Sequence, residues 1–265
     1  MQIDRTRIAI RERTWSDNLD LAFQVIRTHF GGLMTAALAG VLPMILLNYM
    51  IMRSFDSALD EGTSFLVTML AVLLVLIEAP LATAPITLYL GQALFVERPS
   101  GKKIARDFLS CLPQLLLFQC LLRNLLIFPI IMAYALWPYL NEIILLERNP
   151  LTTRGGQMST IKRNSLMHQG GSGDNIARAI GAAVLASLLI AALLTSQSMM
   201  FNILLGIQQG WTGQVLALQG VLWMVAVYFT VARFLTYLDQ RIRNEGWEVE
   251  LVLRAQRERL TRQAA

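Results

Sequence analysis

The sequence predicts an all-α protein, a polytopic helical bundle that lies in a membrane. Three observations carry that prediction. Apolar residues make up 55% of the 265-residue chain and charged residues only 15%, against roughly 25% charged in a soluble domain. The charges are clustered, so that uncharged stretches such as 33–52 recur between polar segments. Lysine and arginine are shared unevenly among the connections, which is how a bilayer sorts loops between its two faces.

The first element is a polar N-terminal segment, residues 1–32. Arg5, Arg7, Arg11 and Arg13 open it. From Trp15 the apolar positions Leu19, Ala22, Phe23, Ile26 and Phe30 share one helical face, with Ser16 as the expected N-cap. Such a helix suits the cytoplasmic interface, lying flat before the chain turns inward at Gly31-Gly32. An ordinary amphipathic helix packed on the rest of the protein has the same pattern. No apolar core of a cleavable signal peptide lies near Met1, so the first span is expected to act as an uncleaved anchor.

The membrane domain is expected over 33–237. Span 1 is 33–52, and span 2 is 65–91 with Glu78, Pro80 and Pro85 inside it. The connection after it carries Arg98, Lys102, Lys103 and Arg106. Residues 108–147 are ambiguous by apolarity alone, because two short apolar runs, 108–122 and 125–141, flank Arg123-Asn124. They read as a tight hairpin of two spans or as one span with a re-entrant piece. Charge separates the two. With a hairpin, all of the 23 basic residues except Arg53 and Arg123 fall on one side. With a single crossing, both later basic groups would move to the outer face, against the positive-inside rule. The hairpin is therefore expected.

The segment 148–176 is a polar loop made flexible by Gly155-Gly156 and Gly170-Gly171-Ser172-Gly173, with Asp174 or Asn175 capping the next helix. Span 5, 179–201, is rich in Gly, Ala and Ser. Small residues let helix backbones approach, so a central place in the bundle is expected, with a homodimer face as the alternative. Span 6 is 214–235, with Trp211 at the outer interface. The whole gives six transmembrane helices with both termini in the cytoplasm, in a bacterial cytoplasmic membrane, and cytoplasmic interfacial helices at both ends. A weak repeat, Leu-Pro-x-x-Leu-Leu at 42–47 and 112–117, fits a duplicated helix pair and equally a chance match in a leucine-rich chain.

The tail, 238–265, is charged. If the last helix continues, Asp239 and Arg243 pair at i,i+4, as do Arg241 and Glu245, and Gly246 ends it. Arg233, Asp239, Arg241, Arg243 and Trp247 are the candidates for docking a partner or lipid phosphates; a juxtamembrane helix that only sets orientation is the plainer reading. The run Tyr237-x-Asp239-x-Arg241-x-Arg243-x-Glu245-Gly246-Trp247-Glu248 resembles the C-terminal signature of uncharacterised bacterial multi-pass proteins. Some of these are themselves similar to the membrane domain of glycerophosphoryl diester phosphodiesterase. The N-terminal helix and Glu97-Arg98-Pro99-Ser100 are similar too. The resemblance implies a helical membrane domain, and it does not bring the phosphodiesterase activity, which belongs to a separate soluble domain.

Glu78 is the candidate polar site. It lies about 20 Å into span 2, at 1.5 Å per residue, where an ionisable group is costly and marks function by default. A carboxylate beside two helix-breaking prolines suits a cation or a proton relay; the plainer role is a hydrogen bond inside the bundle. Glu142 and Glu147 read as interfacial ion pairs with Arg148 and the basic loop. Arg123 reads as a snorkelling group at the hairpin tip.

Other chemistry is poorly supported. No His-Glu-x-x-His, nucleophile elbow or phosphate loop occurs. No catalytic residue, metal site or cofactor is expected. Cys111 and Cys120 read as buried apolar thiols, and His29 and His168 are far apart. Nucleic acid is not an expected partner, because no basic patch is interleaved with aromatic residues. The expected partners are the bilayer, anionic head groups at the cytoplasmic face, and a membrane-protein partner or a second copy. Two functions follow: a non-catalytic scaffold or subunit of a membrane complex, or a small-solute or ion transporter or channel using Glu78.

Overall fold

The computed structural model describes residues 14–55, 61–122, 137–151, 158–168, 172–207 and 210–245. All regular structure among them is helical. In chain order the helices are α1 (Trp15–Thr28), α2 (Phe30–Arg53), α3 (Glu61–Ala82), α4 (Ala84–Ala93), α5 (Gly101–Leu115), α6 (Leu140–Glu142), α7 (Thr160–His168), α8 (Ser172–Met199) and α9 (Trp211–Glu245). Wider π turns extend α5 through Leu116–Leu122, α6 through Ile143–Glu147 and α8 through Met200–Leu204.

Four helices are long and apolar enough to cross a membrane: Phe30–Arg53, Phe65–Ala93, Gly173–Leu204 and Gly213–Asn244. They correspond to predicted spans 1, 2, 5 and 6. Predicted span 3 lies in the helix running from Gly101 through Leu122, whose first part is strongly amphipathic and buries Asp107, Cys111 and Leu115. Most of predicted span 4, with Arg123, lies outside the described residues, as do the tail beyond Glu245 and its Trp247.

Helix α1 begins earlier than the sequence suggests. Thr14, not Ser16, is the N-cap; its hydroxyl accepts from Asp17 N–H, and the Asp17 carboxylate accepts from Thr14 N–H. This reciprocal box satisfies two otherwise orphaned donors. The buried stripe is Asn18, Ala22 and Val25, and it faces α9. Phe23 and Phe30, on the apolar face read from the sequence, are exposed at 60% and 56%, whereas Ala22 of the same face is buried. The Phe23 ring still lies 4.6 Å from that of Tyr228, whose hydroxyl donates to Leu19 O at 3.2 Å.

The second apolar span is interrupted between α3 and α4. Pro80 and Pro85 each remove a backbone donor, and Thr83 breaks the regular backbone between the two helices. The break lets α2 come close. A Cβ on Gly40 would stand 1.9 Å from the Ala82 carbonyl oxygen, and one on Gly32 would strike the Tyr89 hydroxyl. Only glycine allows backbones so near.

The core is organised on α9. Its Val231, Phe234 and Tyr237 are fully buried, packed with Ala22, Leu33, Ile86, Leu90 and Ile143. α9 packs against α1, α2, α3, α4, α7 and α8. Half of its most apolar window is buried, and none of that of α8. So α8 is peripheral, contrary to the central place its small residues suggest. It rests on α9, and Gly181 on α8 touches the Trp15 ring. Ala183, Ser187, Ala191 and Thr195 lie on its outward face. Small residues permit close packing without dictating which neighbour uses it.

Candidate functional site

Charged and polar side chains collect in two places. The first is the end of the bundle where the start of α5, the end of α6, α7 and the last turns of α9 meet. Glu142 is wholly buried and accepts from Arg233 Nε at 2.8 Å. Glu147 is held by Arg163 through Nε and Nη2 of one guanidinium edge, with Nη2 at 2.9 Å, and by the Tyr237 hydroxyl at 2.8 Å. Arg148 reaches Asp107 at 2.7 Å. Asp239 pairs with Arg243 at 3.1 Å, the i,i+4 bridge the sequence predicts.

Glu147, half-buried, pairs with Arg163 of the basic loop, as the sequence suggests. Glu142 differs from the expectation: it is buried rather than interfacial, and its partner Arg233 lies far along the chain. The reason is the burial of α6. Ile143, Ile144 and Leu145 are essentially solvent-free, and they draw the flanking acids inward with them. A buried carboxylate without a cation is very costly, which accounts for one arginine per acid. Burial pushes the Glu147 carboxyl up, and the Arg163 and Tyr237 hydrogen bonds outweigh it, so the group is held below the ordinary glutamate range.

Amides complete this network. Gln114 Nε2 donates to Asn149 O at 3.0 Å and to the Thr160 hydroxyl at 2.7 Å. Asn141 Nδ2 donates to Pro80 O at 2.9 Å. Asn244 Nδ2 donates to Met167 O at 3.2 Å. His168 stacks on Tyr139 at 5.5 Å, and burial holds its imidazole below the ordinary value despite the hydrogen bond to Asn164 O. Arg148 has φ 54°, a left-handed conformation that stops the α6 extension and turns the chain. An open cleft of about 280 Å³ lies there, lined by Glu147, Arg148, Asn149, Met158 and Arg163.

The candidate docking residues therefore separate. Arg233 and Asp239 are turned inward into ion pairs, and the Arg243 side chain, 40% exposed, reaches the surface. Arg241 contributes its charge beside Glu147 and Tyr237. Sequence reasoning placed Asp239 and Arg243 correctly as a pair. It missed the long-range partner of Arg233, which no local spacing encodes.

The second place is inside the apolar part of the bundle, between α2, α3 and α9. Glu78 accepts from Asn48 Nδ2 at 2.9 Å. Asn48 is wholly buried, and its Oδ1 has no partner among the described residues. Gln219 on α9 is 1% exposed, and neither of its amide atoms is bonded among the described residues. Trp223, one turn on, is buried, and its indole N–H has no partner among the described residues. Glu78 thus has the intrabundle hydrogen bond of the plainer reading, from an amide that the sequence did not single out, and Gln219 is a second buried amide it passed over. Their signal was available: Asn48 and Gln219 are amides within otherwise apolar runs.

Among the described residues no group of three or more His, Cys, Asp or Glu is placed to hold a metal ion. Cys111 is buried beside Ile144 O at 3.8 Å, and the Cys120 side chain is outside the described set. Comparison with protein-family models, with curated proteins and with solved structures gives no match.

Proposed function

We propose that this chain is a six-span, non-catalytic scaffold or subunit of a membrane complex, seated in a bacterial cytoplasmic membrane with both termini in the cytoplasm. The four apolar helices make it an integral membrane protein; the hairpin at 108–141 supplies the other two spans in this reading. The observation that carries it is the charged end of the bundle. Its acids and several of its bases are spent on one another, which fixes α5, α6, α7 and α9 in one arrangement. What remains outward is a firm polar face with Arg148, which lines the cleft, and Arg243 both partly exposed. That suits a partner protein or anionic head groups. The resemblance of the tail to bacterial multi-pass membrane proteins is part of the proposal.

Single cysteines at Gly170 and Gly206, labelled with an impermeant maleimide in spheroplasts and in inverted vesicles, should react from opposite sides. Same-side reaction sinks the six-span topology. Purification from mild detergent should recover a specific partner in stoichiometric yield, weakened by Arg148→Glu/Arg243→Glu; recovery of the chain alone counts against the scaffold. Transport stands second, on the buried Asn48 amide that bonds Glu78 while its Oδ1 has no partner among the described residues.

A further inference from the structure

The polar atoms between α2, α3 and α9 point to a ligand. Buried amides without partners cost on the order of 1–3 kcal/mol each, and three groups in this one interface carry such atoms: Asn48, Gln219 and Trp223. Two of the three are acceptor-bearing amides. Asn48 lies along α2 between Val41 and Met52. Gln219 lies along α9 between Trp223, which packs with Val41, and Val215, which packs with Met52. The two amides therefore share one level of the bundle. Glu78 joins them through Asn48.

A small recess of about 10 Å³ touches Gln219 and opens beside Tyr49, Arg53 and Trp211. That is room for about one water-sized sphere. It lies at the end of the bundle opposite the ion-pair network, and Arg53 and Trp211 are the outer end in the six-span reading.

We propose that Glu78, Asn48 and Gln219 form an intramembrane site for one dehydrated monovalent alkali cation, with sodium the best fit. The donor atoms are all oxygens: a carboxylate and two amide carbonyls. Hard cations take such ligands. Charge decides the valence. Glu78 is the single carboxylate of the site, so a monovalent ion leaves it neutral in a region where net charge is costly. A divalent ion would leave an excess positive charge and takes six or more oxygens. The recess gives the ion a route to Gln219. The ion would tie three helices together at the level where their side-chain contacts are otherwise incomplete. This concerns binding and does not depend on flux or on the scaffold reading: a static ion satisfies it as well as a transported one.

The test is thermal unfolding of the purified full chain in detergent, at constant ionic strength, with sodium chloride replaced stepwise by choline chloride. The wild type should show a saturable rise in Tm with sodium, as any ligand of the native state gives. Glu78→Gln should abolish the rise. Gln219→Leu should unfold at higher temperature than the wild type in choline, because it removes an unbonded buried amide, and should ignore sodium. It carries the test should Glu78→Gln fail to fold. Equal Tm in sodium and choline overturns the proposal. So does a sodium response that Gln219→Leu retains, or a response to pH in choline with none to sodium, which would make the site one for a proton.

Discussion

Removing one partner of the Glu142–Arg233 pair should be among the most damaging changes available in this chain. Glu142 is wholly buried and its Oε1 lies 2.8 Å from Arg233 Nε. Arg233→Met leaves that carboxylate without its cation in an apolar surrounding. Breaking a buried pair from one side costs about 3–5 kcal/mol, whereas replacing both members by apolar groups of similar size is often neutral. At about 2–4 °C per kcal/mol for a chain of this size, the single variant should lose roughly 6–20 °C in Tm. Glu142→Leu should also be destabilised, with Arg233 then the orphan. Glu142→Leu/Arg233→Met should recover most of the loss. Differential scanning fluorimetry in detergent on the four proteins gives the coupling energy directly. An additive double variant, or an Arg233→Met loss below about 1 kcal/mol, the range of an exposed pair, would show that the pair does not hold this end together. Arg233 would then be free for the docking role its position in the sequence suggests.

Two further outcomes test the description of the fold and its charged end. Gly40→Ala places a methyl 1.9 Å from the Ala82 carbonyl and should cost about 1–3 kcal/mol by overpacking. Gly31→Ala meets nothing within 4 Å and should be neutral or stabilise by up to about 1 kcal/mol; equal Tm changes for the two would refute the close approach of α2 to the end of α3. The pH dependence has a definite sign at both titrating groups outside the spans. Glu147 and His168 each have a folded value below the ordinary 4.5 and 6.5, so the folded state binds fewer protons than the unfolded one. Their stabilisation is present above those ordinary values and is lost as pH falls through the lower folded ones. Tm should therefore drop below pH 6.5, and His168→Gln should flatten the first part of that drop. A Tm that rises on acidification through this window would contradict both placements.

The sequence made the helical membrane architecture readable because long apolar runs and clustered charge are local properties. The Asp239–Arg243 bridge was readable for the same reason, since i,i+4 spacing is set by helix geometry alone. Span 3 was harder. Phe108–Leu122 is apolar enough to suggest a crossing, but the structural helix starts at Gly101 and carries Lys102, Lys103, Arg106 and Asp107 on its first turns. The central place expected for α8 was an inference from composition, and it failed because the same small residues serve an outward face as readily as an inward one. The basic loop was readable as the partner of Glu147, and the partners of Glu142 and Arg148 were not. They are set by the tertiary fold of α6, whose burial no periodicity in a short, proline-flanked segment reveals. Gln219 and Asn48 escaped notice because one amide in a span is unremarkable until a second is placed at its level.

The dependence of the bundle on α9 has a consequence for how the protein is made. The chain leaves the ribosome from its N-terminus, so α1 to α8 are made before the helix on which most of them pack. Until α9 arrives, Glu142 has no Arg233, Glu147 has no Tyr237, and the α1 stripe has no surface to cover. The earlier helices must wait as a loose, partly polar intermediate, exposed to membrane proteases and chaperones. Closure is then a late, single event triggered by one helix. A chain stopped before Trp211 would be degraded rather than accumulate as a smaller bundle.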